Sequence, residues 1–116
     1  QCDREISGMS PMFLAGLTAR AIRLKSELKS YNIPLMEGYP AKLATILGLR
    51  ALGYKKQKQY INDVTEVMIS AYKLNLVDPL ESWHEVDAVL TALIHLRYAN
   101  KQHQTFGQEE EGLVYV

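Results

Sequence analysis

Apolar residues recur at steps of three and four through Phe13 or Leu14, Leu17, Ala21, Leu24, Leu28 and Tyr31. This is the spacing of one buried stripe on a helix, and Arg20, Arg23, Lys25 and Lys29 fall between them on the side left to water. Ser10-Pro11 supplies a start, a hydroxyl N-cap followed by proline at the first helical position. The next apolar run, Ile33 to Met36, is bounded by Asn32 and Gly38-Tyr39-Pro40. It is too short for a helix and reads as a buried strand, with Pro34 placing it near the strand's beginning or at an edge. Pro40 opens a second, short helix through Leu47 that Gly48 ends, and Gly48 to Tyr54 reads as a connection. Between Lys56 and Leu74 the helical period returns through Tyr60, Ile61, Val64, Val67, Met68, Ala71, Tyr72 and Leu74. Asp78-Pro79 restarts the chain with two overlapping capping patterns, Asp78 with Glu81 and Ser82 with Glu85, so a last helix begins near Pro79 or Trp83 and runs to about Ala99. Asn100 to Glu111 is polar and reads as a loop, and Gly112 to Val116 as a terminal strand.

The order helix, strand, three helices, strand gives a mixed α/β class with about four helices and two short strands. Two such strands do not make an independently stable sheet. They are expected to pair with each other, with strands outside this chain, or with a second copy in a homodimer. No internal repeat, glycine-rich phosphate loop or low-complexity tract interrupts the pattern. Gln1 opens the chain without an initiator methionine, which suggests a piece of something longer.

Composition narrows the class without naming a function. The 116 residues, 47% hydrophobic and 22% charged, make about one domain, 1–116, able to bury roughly two-thirds of its unfolded surface. The single cysteine, Cys2, excludes an internal disulfide framework and a cysteine-rich zinc site. No apolar run approaches the roughly 20 residues that span a bilayer, so no membrane partner is expected and a cytoplasmic location follows by default. The net charge is zero but unevenly placed: residues 1–58 hold ten Lys/Arg against four Asp/Glu, and residues 59–116 hold three against nine. Arg20, Arg23, Lys25, Lys29, Lys55, Lys56 and Lys58 could form a surface for phosphates. Solvated helix faces, or attraction between the two halves, explain the same asymmetry.

Two acids suggest chemistry rather than packing. Glu37 follows the apolar run, and Asp87 lies one turn into an apolar helix, near an N-terminus whose free amides favour the ionised form. Hard divalent ions take oxygen ligands of this kind. His84 shares a helix face with Asp87, three residues earlier, and is placed to orient it or to reach a phosphate. The plain alternatives are an acid leaving a strand, a buried acid satisfied by nearby amides, and a capping histidine. His95 reads as structural, His103 as a loop residue, and Trp83 and Tyr39 as edges of the core.

Four segments resemble a family: Cys2-Asp3-Arg4-Glu5, Met36-Glu37-Gly38-Tyr39-Pro40, Trp83-His84-Glu85-Val86-Asp87-Ala88 and Glu110-Glu111-Gly112-Leu113-Val114-Tyr115-Val116. Together they resemble the uncharacterised proteins described as predicted nucleases of ribonuclease H-like fold. The resemblance runs through nearly the whole chain, in the family's order, and covers the C-terminal part of such a domain, the N-terminal strands preceding Gln1. It departs at Gly38, where a β-branched residue is expected. The resemblance implies a site in which carboxylates hold Mg²⁺ or Mn²⁺, with Glu37 and Asp87 as metal ligands and His84 beside them among the catalytic residues. It implies DNA or RNA as the partner, cleaved by the intact protein, this portion alone being inactive. A non-catalytic nucleic-acid or protein interaction module on the same fold is the competing expectation, since fold does not settle function.

Overall fold

The computed structural model describes residues 15–110 and 112–116. The Ser10-Pro11 start, Phe13, Leu14, the Cys2 to Glu5 motif and the side chain of Leu17 lie outside what it describes. Among the described residues the chain is mixed α/β, with four α-helices and a small three-stranded sheet. It falls into two compact units: in one, residues up to Glu37 with Gln104–Tyr115; in the other, Gly38–His103 with Val116.

In the first unit, α1 spans Ala15–Lys29. It ends because Asn32 turns left-handed at φ +55°, a conformation asparagine tolerates better than most residues, while the Ile33 amide returns to the Leu28 carbonyl at 3.2 Å. The described members of the stripe expected to face a core do not do so. Leu24 and Tyr31 are 48% and 75% exposed, Ala21 is exposed as well, and Leu28 is half-buried. The Ile33 to Met36 strand is also corrected: these residues adopt no regular structure, Ile33 and Leu35 are exposed, and the strand β1 is only Glu37–Gly38. Pro34 has no N–H to give a ladder, which removes a donor from the middle of the run.

The tail holds more structure than its polarity indicates. Thr105–Gln108 forms β2, a strand read as loop in the sequence, and Gly112–Tyr115 forms β3 as expected. They pair antiparallel in the register Thr105 to Tyr115, Phe106 to Val114, Gly107 to Leu113 and Gln108 to Gly112. Glu109 and Glu110 make the turn. The sheet order is β1-β3-β2, so the terminal strand is the central one and the strands find their partners within the chain.

The second unit follows its sequence more closely. Pro40–Ile46 forms α2 with proline in its first turn, and Gly48 leaves it at φ +73°. Turns carry the chain to a 3₁₀ turn at Lys58–Tyr60, which leads into α3, Ile61–Tyr72. Lys73 closes α3 in the left-handed conformation, its amide bonded to the Ile69 carbonyl. The last helix, α4, spans Trp83–Ala99. Of the two capping patterns the chain uses the second. The Ser82 hydroxyl accepts from the Glu85 amide, and the Glu85 carboxylate accepts from the amides of Ser82 at 3.0 Å and Glu81 at 2.6 Å. These contacts satisfy donors that a helix start leaves unpaired. They also hold the Glu85 carboxyl below its usual range, the Glu81 amide contributing most.

The core of this unit joins Leu43, Ala44 and Leu49 to Ile61, Val64 and Met68 of α3 and to Val86, Leu90, Leu93 and Ile94 of α4. Gly38 lets backbone approach α4 closely, for a Cβ there would sit 3.4 Å from two carbons of Ile94. His95, read as structural, is exposed, because the buried face of α4 passes through Leu93 and Ile94 and turns away at the next residue. Ala71 of α3, in phase with the buried Val64 and Met68, is exposed near the helix end. Among the described residues no helix is long and apolar enough to cross a membrane.

Candidate functional site

Asp87 sits in the second turn of α4, between Val86 and Leu90 on the buried face and the exposed side of the helix. Its side chain is 23% exposed, and its carboxylate meets two groups from the connection before α3. The Tyr54 hydroxyl donates to Oδ1, and the Lys55 ammonium lies 2.7 Å from Oδ2. Tyr54 itself is buried, 5% exposed, so its hydroxyl needs this acceptor. Burial first, and then the hydrogen bond and charge of Asp87, push the phenol far above its ordinary range, with Arg50 opposing. Tyr54 is therefore a fixed neutral donor.

The connection that delivers these side chains is tightly specified. The Tyr54 amide bonds back to the Leu49 carbonyl at 3.1 Å, and a turn closes from the Lys56 amide to the Gly53 carbonyl at 2.9 Å. Gly53 has φ +93°, and a Cβ on it would lie 2.6 Å from the Tyr60 ring, so only glycine fits without a shift. Lys55 occupies the third position of that turn at φ +59°, where glycine or asparagine is favoured. Trp83, the first residue of α4, holds the far side of the connection: its indole N–H donates to the Lys56 carbonyl at 3.0 Å, and its ring meets Tyr54 edge-on with centroids 5.6 Å apart. The Lys55 ammonium also lies 5.6 Å from the centre of the Tyr54 ring.

The structure thus groups Asp87 with Tyr54, Lys55 and Trp83. His84 is exposed, one turn before Asp87 on α4. Glu37 is exposed at the start of β1 and belongs to the first unit, whereas Asp87 and His84 belong to the second. Asp3 and Arg4 lie outside the described residues. Trp83 and Tyr39 are half-buried, in keeping with edges of a core. Tyr54 escaped the sequence reading because it lies 33 residues from its acceptor. The available signal was the stretch from Gly38 to Asn62, which carries five Lys/Arg and no acid.

Whether such a corner suits a divalent ion is a question of donor chemistry. Asp87 offers hard oxygen, and Lys55 already places a positive charge on it, so the ammonium is a stand-in for a cation. Lys55 is half-exposed, so the pair borders on water. Asp87 therefore fits as one ligand, and the Tyr54 hydroxyl orients it. Among the described residues no group of three His, Cys, Asp or Glu side chains gathers to hold an ion. Compared with protein-family models, curated proteins and solved structures, the chain has no match.

Proposed function

We propose that this chain belongs to a metal-dependent nuclease domain of ribonuclease H-like fold, hydrolysing phosphodiester bonds in DNA or RNA. The observation that carries the reading is the half-buried Asp87 carboxylate, oriented by the neutral Tyr54 hydroxyl and already bearing a cation, Lys55. Asp87 would serve as one ligand of Mg²⁺ or Mn²⁺, which when bound supplies a Lewis acid for the phosphoryl oxygen and a more acidic water. Tyr54 keeps Asp87 in one rotamer and its proton out of the reaction. His84, exposed on the same helix, is available to a phosphate. A cytoplasmic setting accompanies this reading.

The test is Mg²⁺- or Mn²⁺-dependent cleavage of labelled single-stranded, duplex and branched DNA and RNA by the intact protein and its Asp87→Asn variant. Cleavage that the variant abolishes is the expected result. Equal cleavage by the two, or none on any substrate, removes the reading. The full engagement of Asp87 by Lys55 and Tyr54 favours a second one, a non-catalytic module for nucleic acid or protein. In that case partner binding survives Glu37→Gln and Asp87→Asn, and cleavage is absent from the parent as well.

A further inference from the structure

The Lys55–Asp87 pair does not account for its own geometry. A half-exposed ion pair contributes little to stability. Holding a residue other than glycine in a left-handed turn position is strained. At Lys73 the same conformation ends a helix, and the Ile69 carbonyl is satisfied in return. At Lys55 no helix is being ended: the residue stands in the turn that Gly53 and Lys56 close. What that conformation secures is an ammonium aimed at the α4 corner.

Its neighbours share its sign. Arg50, Lys56 and Lys58 are exposed along the same connection. The Arg50 and Lys58 charges are felt at Tyr54 and Glu85 respectively. The nearby acids are already engaged, Glu85 by the helix cap and Asp87 by Lys55 and Tyr54. Among the cations named, Lys55 alone is held on a carboxylate, and that carboxylate competes for it with any anion that arrives.

We infer that residues 50–58 form a ledge for the phosphodiester backbone of nucleic acid, on which Lys55 passes from Asp87 to a phosphate oxygen as the strand binds. This deepens the reading above by giving the corner its ligand, and it requires no metal. Lys55 then has two positions, one closing Asp87 in the free protein and one leaving it open in the complex. Asp87 is thereby a brake on binding as well as a site acid, so removing its charge should strengthen association.

The test is fluorescence anisotropy of a labelled oligonucleotide, single-stranded and then duplex, in EDTA at several salt concentrations. Lys55→Met, which keeps the aliphatic stem, should weaken binding severalfold and lower the salt slope by about 0.7 for a single strand or 0.9 for a duplex. Lys56→Met and Lys58→Met should act in the same direction. Asp87→Asn, whose amide oxygen can still accept from Tyr54, should bind severalfold tighter. Circular dichroism of each variant confirms the fold, and Glu109→Gln, in the hairpin turn, controls for a general change in charge. Binding unchanged in Lys55→Met, or Asp87→Asn no tighter than Glu109→Gln, overturns the inference. Tighter binding by Asp87→Asn, with an intact parent that never cleaves, would sustain the ledge and sink the nuclease. Cleavage lost in Asp87→Asn with no gain in binding would do the reverse.

Discussion

Helices α1 and α4 have similar lengths and similar apolar periods, yet they differ in what their stripes do. On α4, Val86 and Leu90 are fully buried, and Leu93 and Ile94 are each 2% exposed. The helix starts at a reciprocal cap, and its first residue, Trp83, is fastened to the preceding connection. On α1, Ile22 and Leu24 remain exposed, as does Tyr31 just beyond its end, and the described side-chain support is local, an Arg23–Glu27 pair at 2.9 Å among exposed groups. The period of a sequence says which face can be buried; it does not say that a surface is there to bury it.

Truncating the two stripes gives the largest separation. Leu90→Ala should cost about 2–5 kcal/mol, whereas Leu24→Ala should stay within about 0.5 kcal/mol. Urea denaturation of both variants measures the difference, and equal losses would mean that α1 is buried in solution. Gly53→Ala comes next, because it combines a positive φ with the Tyr60 ring in the path of the new methyl group. A loss of about 1–3 kcal/mol is expected, and a neutral result would show that the connection before α4 is not held as described. Ser82→Ala should cost about 1 kcal/mol and carry a signature in acid. Glu85 has its pKa lowered in the folded state, so its contribution is present above the unfolded value and is lost as pH falls through the folded one. The Ser82 hydroxyl is one of the groups that lower that pKa, so Ser82→Ala should flatten the acid-side slope of stability slightly. An unchanged slope would separate the cap from the titration.

The α4 half of the molecule was legible because its signals are local. Pro40 and Gly48 bracket α2, and Ser82 with Glu85 marks the start of α4 once the competing Asp78–Glu81 pattern is set aside. Strand β2 was not legible. Thr105, Phe106, Gly107 and Gln108 include one β-branched residue and a glycine at φ +95°, and they become a strand through pairing with Leu113 to Tyr115 across the turn. The Ile33 to Met36 run misled in the opposite direction, its apolarity suggesting burial while Pro34 withheld a ladder donor. At the candidate site, Asp87 could be singled out by its position on a helix. Its partners could not, since they come from a connection whose shape depends on a glycine, a left-handed lysine and an indole bond back to the main chain.

Trp83 is the only tryptophan in the chain, and its place against Tyr54 and the Lys56 carbonyl makes it an optical probe of that connection. Its emission reports on the few residues around Asp87 without any added label. A rearrangement of the Tyr54–Lys56 backbone would change the polarity around the indole and the hydrogen bond at its nitrogen. A shift in intrinsic fluorescence would therefore follow such a movement in real time, in the unmodified protein.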